Sequence, residues 1–173
     1  MAGYRMTPHT ITLFNFVGEN ENTYQGDFEI TILKNVMCIP QEGAVLSTTG
    51  TAANNKADLY IFKRNVVATD TNGNVKRYIP PDKWDESEHK ERYWTLHDNG
   101  TDVFVKGVYS ASINNVVDTL YNDIVSPGGD KLVFEKGESE LPPDQIERAY
   151  RIRGVVDYDM GLPRMRHWEV YAR

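Results

Sequence analysis

The chain has 173 residues, a net charge of −6 and a single cysteine, Cys38. A chain of this length buries about 70% of its unfolded surface, so it can fold as one domain without a metal, and one cysteine excludes an internal disulfide. The acidic balance argues against a general nucleic-acid-binding protein, because such a protein needs a basic surface to neutralise phosphates.

Alternating side chains predict three strands in the first part of the chain. HTITLFNFV (9–17) has apolar side chains at both alternations, which is typical of a strand covered on both faces. GDFEITILKNVMC (26–38) and ADLYIFKRNVVA (57–68) are rich in β-branched and aromatic residues. We expect both to be antiparallel strands.

Residues 39–56, between the second and third strands, are nearly devoid of large side chains after Leu46. The segment is too long for a tight hairpin turn, and loops longer than about 12–15 residues are usually functional or disordered. We therefore predict a long inter-strand loop that is mobile in the isolated monomer. Its small residues, which could face a channel, are Ser47, Thr48, Thr49, Gly50 and Thr51.

The middle of the chain combines turn signals with short elements. Asn-Gly pairs at 72–73 and 99–100 predict hairpin turns, the second of them between two short strands. Pro80 and Pro81 end a strand, and residues 82–91 are predicted to form a short polar helix or turn.

Residues 109–149 have a helical pattern instead of an alternating one. One apolar stripe follows capping serines and ends at Ser-Pro-Gly-Gly; it consists of Ile113, Val116, Val117, Leu120 and Ile124. We predict an insertion with one helix at about 112–125 that packs against the sheet. The fold class is then mainly β, a small antiparallel β-barrel or sandwich in a single domain spanning 1–173.

The last two predicted strands, AYRIRGVVDYD (149–159) and RMRHWEVYA (164–172), form a hairpin with a corner at Gly161. We expect this hairpin to be part of the sheet, with Trp168 and Val170 buried. On its first strand, strict alternation gives one face formed by Tyr150, Ile152, Val156 and Tyr158. It gives an opposite face formed by Arg151, Arg153, Val155 and Asp157.

The arginines are concentrated at this end of the chain. From Arg148 to Arg173 there are six arginines, no lysine and three acidic residues, a net charge of +3, so the remainder carries −9. Arginine is favoured over lysine at interfaces because its planar fork binds carboxylates bidentately. We predict a subunit interface that pairs with acidic residues of 82–91 and consists of Arg151, Arg153, Arg164 and Arg166. The alternative is a solvent-exposed strand face.

The sequence offers little that indicates catalysis. It lacks a Gly-rich phosphate loop, a GxSxG elbow, an HExxH motif and paired cysteines. His89 and His97 lie near Glu86, Glu88 and Asp98, which would suit a metal but is better explained by charges on a helix surface. His167 and Glu169 share a strand face, so a hydrogen-bonded structural histidine is favoured. We predict no enzyme, no metal and no cofactor.

The remaining patterns concern aromatic residues and membranes. Trp84, Tyr93 and Trp94 could stack on sugars or bases, although core or interface packing is their usual role. MAGYRMTPHT lacks the apolar core of a signal peptide, and no apolar run approaches the ~20 residues that span a bilayer. We therefore expect neither export nor a membrane partner.

Three parts of the sequence, taken in order, resemble a known group of proteins. They are ITLFNF with ITILKNV, then RYIPPDKWDESEHKERYWTLHDNGTDVFVKG, then RIRGVVDYDMGLPRMRHWEV. The order is similar to that of small structural proteins encoded beside the capsid and connector genes of tailed phages and prophages of Gram-positive bacteria. The resemblance does not extend over 109–149.

The resemblance implies the head-closure, or stopper, class of neck proteins. Such a protein is a small β-barrel that forms a ring of about six or twelve copies between the portal or adaptor and the tail terminator or tail tube. Packaged double-stranded DNA passes through its channel without sequence-specific binding, and the long loop at 39–56 would face that channel. The protein would be found in the virion neck, and in the host cytoplasm during assembly.

Other functions remain open on the sequence alone. Within the virion, the chain could be a tail terminator or a minor capsid protein. Outside it, a carbohydrate- or single-strand-binding β-barrel could use Trp84 and Trp94 as stacking platforms. A small hydrolase could use His89 or His167.

Overall fold

The structure is a computed structural model that describes residues 7–19, 26–41, 44–47, 50–53, 56–108 and 149–173. The predicted helix at 112–125 lies outside these residues, as does the insertion up to residue 148. The described residues form the following elements: β1 (His9–Glu19), β2 (Gly26–Gln41), β3 (Ala44–Ser47), β4 (Gly50–Ala53), β5 (Lys56–Phe62), β6 (Val67–Thr69), β7 (Arg77–Tyr78), α1 (Pro81–Glu86), a 3₁₀ turn (Lys90–Arg92), β8 (Tyr93–Trp94), β9 (Val103–Lys106), β10 (Ala149–Tyr158), a second 3₁₀ turn (Pro163–Met165) and β11 (His167–Ala172).

A seven-stranded antiparallel sheet dominates the described residues, in the order β1-β9-β10-β11-β5-β2-β6. Strand β1 also pairs with β2, so β1, β2, β5, β11, β10 and β9 are joined in a ring of pairings. The ladders of β9 are short, with four residue pairs to β1 and three to β10. The prediction of a mainly β fold with antiparallel pairing is confirmed.

The long strand β2 connects the two halves of this ring, one containing β1 and β9 and the other containing β5 and β11. Its residues up to Val36 pair with β1, and residues 37–41 pair with β5. Between these parts, Asn35 has a φ of 62° and its side-chain amide donates to the Asn65 carbonyl at 3.0 Å. Asparagine tolerates this left-handed backbone better than most residues, so it accommodates the irregularity there.

One hydrophobic core lies between the two halves. Ile11, Leu33 and Phe104 contribute from one half and Leu59 and Val170 from the other. Strand β1 is buried on both faces, as its double alternation predicts. Burial from both sides of the ring fixes the strand register, because a slip by one residue would expose these side chains.

The closing strand β11 is held by an aromatic cluster. The Trp168 ring lies 4.3 Å from that of Tyr78 and 5.6 Å from that of Trp94, measured between centroids. The indole N–H of Trp168 donates to Asp157 at 3.2 Å, and Val170 is fully buried. The prediction that the C-terminal hairpin is part of the sheet is confirmed.

The predicted long loop at 39–56 is wrong. Strand β2 continues to Gln41, and β3 and β4 pair as an antiparallel ladder before β5 begins at Lys56. The backbone of small residues pairs as readily as that of large ones, so composition was a poor guide to structure here. Of the expected channel-facing residues, Ser47 ends β3 while Gly50 and Thr51 begin β4; Thr48 and Thr49 lie outside the described residues.

Two details of the predicted hairpins also differ. The Asn99-Gly100 turn does not join paired strands, because β8 pairs with β7 and β9 pairs with β1 and β10. In β10, a register shift between Ile152 and Gly154 leaves Arg153 as an extra residue opposite β11. This β-bulge reverses the alternation after it, since a bulge inserts one residue into a single strand.

Because of this bulge, the predicted faces of β10 are wrong for the residues that follow Arg153. Ile152 faces the core, and after the bulge Val155 packs against the core instead of Val156. Val156 and Tyr158 are 40% and 45% exposed, so they face outwards.

Replacing Trp168 by alanine tests the role of the closing strand. Trp168→Ala should lower the free energy of unfolding by about 3–5 kcal/mol, because it removes a buried ring from a packed cluster. Urea unfolding followed by circular dichroism measures this. Met160→Ala is the control: Met160 is 89% exposed, so a change within about 0.5 kcal/mol is expected. Equal effects of the two substitutions would contradict the assignment.

Candidate functional site

The four arginines of the predicted interface lie at two separate places. Arg151 and Arg153 are at the bulged part of β10, whereas Arg164 lies in the 3₁₀ turn that precedes β11 and Arg166 directly follows that turn. Strands rise about 3.3 Å per residue, so the two pairs are roughly 20 Å apart along the hairpin. The structure therefore brings together Arg151 with Arg153, but not all four.

Of the pair at the turn, Arg166 makes contacts within the fold. The Arg166 carbonyl accepts a hydrogen bond from the Lys63 N–H at 3.1 Å, and its guanidinium lies 3.9 Å from Asp159. Lys63 also binds Asp157 and Asp159, at 2.5 Å and 3.0 Å. Arg164 is exposed in the 3₁₀ turn.

Arg153, from the other pair, borders a cleft of about 450 Å³ beside the bulge. The residues that line this cleft are Lys56, Asp58, Arg153, Tyr171, Ala172 and Arg173. The Asp58 carboxylate already accepts a hydrogen bond from the Gln41 amide at 2.7 Å. The described lining thus combines three cationic groups with one carboxylate, which suits an anionic group of a ligand or partner.

Arg153 is held at the cleft by local backbone geometry. It is the extra residue of the β10 bulge, and bulges commonly redirect a side chain. Its guanidinium lies against Gly100, where an added Cβ would be only 2.8 Å from Nη1. Gly100 also has a φ of +85°, which side-chain-bearing residues rarely adopt, so glycine is needed there for the turn.

A buried carboxylate, Asp102, fixes the loop that carries Gly100. It accepts hydrogen bonds from the Asn15 amide at 2.7 Å, the Phe16 N–H at 3.0 Å, and both the backbone N–H and the ring Nδ1–H of His97 at 2.9 Å. The Asp102 carbonyl accepts from the Ile152 N–H at 2.9 Å. The loop is thereby tied to β1 and to β10.

His97 extends this buried network to α1. Its Nε2 lies 3.3 Å from a carboxylate oxygen of Asp85. Burial alone would lower the pKa of His97, but the hydrogen bond and charge of Asp102, together with Asp85, raise it above the usual value. This histidine bridges the buried carboxylate of Asp102 and the exposed carboxylate of Asp85.

Beside the cleft, the outer face of β2, β5, β11 and β10 carries aromatic residues. The His167 ring stacks on Tyr158 at 4.9 Å and contacts Phe62 at 5.2 Å, measured between centroids. Along the next row, Tyr60 lies opposite Glu169. Exposed apolar side chains complete the face; they are Ile39, Val156, Tyr158 and Tyr171. We call these residues the aromatic face.

Glu169 is the charged group at the centre of the aromatic face. It accepts side-chain hydrogen bonds from Tyr60 and Tyr171. The hydrogen bond to Glu169 is the main cause that raises the pKa of Tyr171 to about 12. The pKa of Tyr60 is also raised, mainly by burial and to a lesser extent by Glu169. Both hydroxyls therefore stay protonated.

The tryptophans proposed as stacking platforms and the histidines proposed for a hydrolase lie in different environments. Trp84 is completely buried and Trp94 is 2% exposed, so neither can be a stacking platform, and that prediction is wrong. His89 is exposed and lies 3.2 Å from Glu91, while His167 Nδ1 lies 2.7 Å from the Met165 carbonyl. Within the described ranges, no group of three or more histidine, cysteine or acidic side chains is arranged to hold a metal ion.

Comparison with protein families identifies the family of this chain. Residues 6–173 match a family of unknown function, DUF6751. The chain belongs to the DUF6751 family. No curated protein and no solved structure matches this DUF6751 chain. No helix among its described residues is long and apolar enough to cross a membrane.

Sequence reasoning missed most of the cleft and the aromatic face. The sequence patterns did not indicate Lys56, Tyr171 or Arg173 as site residues. They also did not indicate the bulge at Arg153, because both possible alternations after it place an apolar residue inwards. One signal was available: Tyr60 and Phe62 alternate with the buried Leu59 and Ile61, so aromatic residues occupy positions where a solvent-exposed face would carry polar ones.

The His97 bridge predicts how stability depends on pH. Because the folded state raises the pKa of His97, the protonated bridge stabilises the fold fully below about pH 6.5, and its contribution falls as pH rises through the folded-state pKa. Unfolding free energies measured from pH 5.5 to 8.5 should decrease over this interval. His97→Gln should flatten the slope, whereas the exposed His89→Gln should leave it. A steeper slope in His97→Gln would refute the bridge.

Proposed function

We propose that this protein is a structural component of a tailed-phage or prophage virion, in the neck between head and tail. The observation that carries the proposal is the adjoining pair of surfaces, an arginine-lined cleft and an exposed aromatic face, on one sheet of a mainly β fold. Aromatic residues and arginine are enriched in protein–protein interfaces. The order of the three sequence segments that resemble neck proteins supports the same role.

The role would be mechanical. Copies would assemble into a ring of about six or twelve, since a contact between two different patches closes when the rotation allows it. The ring would join the portal or adaptor to the tail terminator or tail tube and keep the packaged DNA in the head. A net charge of −6 suits such a channel, because a basic lining would hold phosphates.

The proposal can be tested in a phage or induced prophage that encodes this chain. The chain should be detected in purified virions and localised to the neck by electron microscopy with a tagged copy. Its absence from virions, or a position elsewhere in the particle, would refute the neck assignment. A position at the tail end of the neck would identify a tail terminator instead.

Charge reversal tests the arginine pair in the same system. Arg151→Glu with Arg153→Glu should leave the monomer folded but give heads that leak DNA or fail to join tails. The matched control is Arg64→Glu with Arg77→Glu, which makes the same change of charge at two other exposed arginines. Normal assembly of the first variant would exclude the pair from the interface, and failure of the control would make the effect one of overall charge.

A second candidate is carbohydrate binding by the aromatic face. Exposed Tyr158 and Tyr171 lie near the Glu169 carboxylate, and aromatic rings with a nearby carboxylate can contact the faces and hydroxyls of sugars. Phosphate-bearing strands are less suited to a face with a central carboxylate. Binding of a glycan by the monomer, lost in Tyr158→Ala, would favour this candidate over the neck.

A further inference from the structure

We propose that the cleft beside Arg153 receives the acidic segment 82–91 of a second copy of this chain. The inference deepens the proposed neck function and rests on it for its biological role, since it names the contact between copies. The contact itself can be measured on the purified protein.

The chemistry of the cleft favours carboxylates. Lys56, Arg153 and Arg173 surround a volume of about 450 Å³, and the one carboxylate in its described lining, Asp58, is engaged by Gln41. Guanidinium groups bind carboxylates through two parallel hydrogen bonds, which adds geometric specificity to charge attraction. A partner that brings several carboxylates would therefore match the lining.

The cleft is held in place before any partner binds. Its two arginines, Arg153 and Arg173, lie on adjacent backbone segments, because Arg173 exchanges backbone hydrogen bonds of 3.0 Å and 3.1 Å with Arg151, two residues before Arg153. Arg153 rests against Gly100, whose loop is fixed by Asp102. A preorganised site loses less conformational entropy on binding, so a few ion pairs can suffice.

The segment 82–91 has the complementary character. Its acidic side chains are all exposed; they are Asp82, Asp85, Glu86, Glu88 and Glu91. Asp85 lies against His97 and Glu91 against His89 and Arg92. Glu86 and Glu88, by contrast, form no ion pair with any residue in the described part of the chain.

The backbone of this segment is also fixed. Trp84 is fully buried and anchors α1, and the Lys90 ammonium donates to the carbonyls of Asp85 and Ser87 at 3.2 Å and 3.0 Å. The carboxylates of Glu86 and Glu88 are therefore presented from a rigid surface. Two rigid, oppositely charged surfaces on one chain predict contacts between copies.

Nucleic acid is the rival occupant that the charges disfavour. Asp58 lines the cleft and Glu169 lies two residues from Tyr171 on the same face. A phosphate backbone would meet both carboxylates in a protein whose net charge is −6. Carboxylates held on a protein surface can instead be placed to avoid them.

The test uses charge reversal on each side and then on both. Arg153→Glu alone, and Glu86→Arg with Glu88→Arg alone, should each weaken self-association by at least about tenfold, measured by sedimentation equilibrium or mass photometry at low salt. Mixing the two variants should restore association, because each reversed cleft then meets a reversed segment. Arg64→Glu is the control that changes the same charge elsewhere and should associate like the unaltered protein.

The outcomes separate the possibilities. If Arg153→Glu does not fold, Arg153→Ala, checked for its melting temperature, tests the cleft alone and should also weaken self-association; the mixture applies only to Arg153→Glu, because alanine has no charge to pair with the reversed segment. A monomeric unaltered protein, or a mixture that does not recover, would overturn the proposal. Binding of single-stranded DNA that is lost in Arg153→Glu would also overturn it, by assigning the cleft to phosphates.

The inference and the neck function can fail independently. Restored association in the mixture, with the chain absent from virions, would keep the contact and reject the neck. A neck protein whose Arg153→Glu variant assembles like the unaltered one would keep the neck and reject the contact.

Discussion

The Asp102 carboxylate is the group on which the arrangement of the functional surfaces depends. Burying an ion costs several kcal/mol unless its lone pairs are satisfied. Here four donors satisfy Asp102: the Asn15 amide, the Phe16 N–H, and the backbone and ring N–H groups of His97. They come from β1 and from the loop before β9, so the loop is held inside the ring of strands instead of forming a hairpin.

The cleft depends on this buried network through the backbone. The loop fixed by Asp102 carries Gly100, and Gly100 provides the space in which the Arg153 guanidinium lies. The bulge in β10 directs Arg153 there, and the hydrogen bond from Ile152 to Asp102 ties the bulged strand to the same loop. A surface feature of three cationic side chains is therefore built on a carboxylate that no solvent reaches.

Strand alternation predicted β1, β2, β5 and the C-terminal hairpin because burial imposes a period of two on their side chains. It could not predict the bulge at Arg153, because Val155 and Val156 are both apolar and either phase places one of them inwards. It could not predict β3 and β4, because four residues are too few to show an alternation and β4 (GTAA) is composed of small residues. It pointed to the candidate arginines as a group in sequence, but sequence spacing along a hairpin does not reveal that its two ends are far apart.

An acidic chain can carry a positively charged cleft because charges in salt solution act mainly over short distances. At physiological salt, charges separated by more than about 8 Å are largely screened, so a net charge of −6 does little to keep copies apart at contact distance. What acts at contact is the local charge, and there the cleft is positive while α1 is negative. In the proposed contact, attraction would therefore be restricted to the orientation in which the cleft meets the acidic segment.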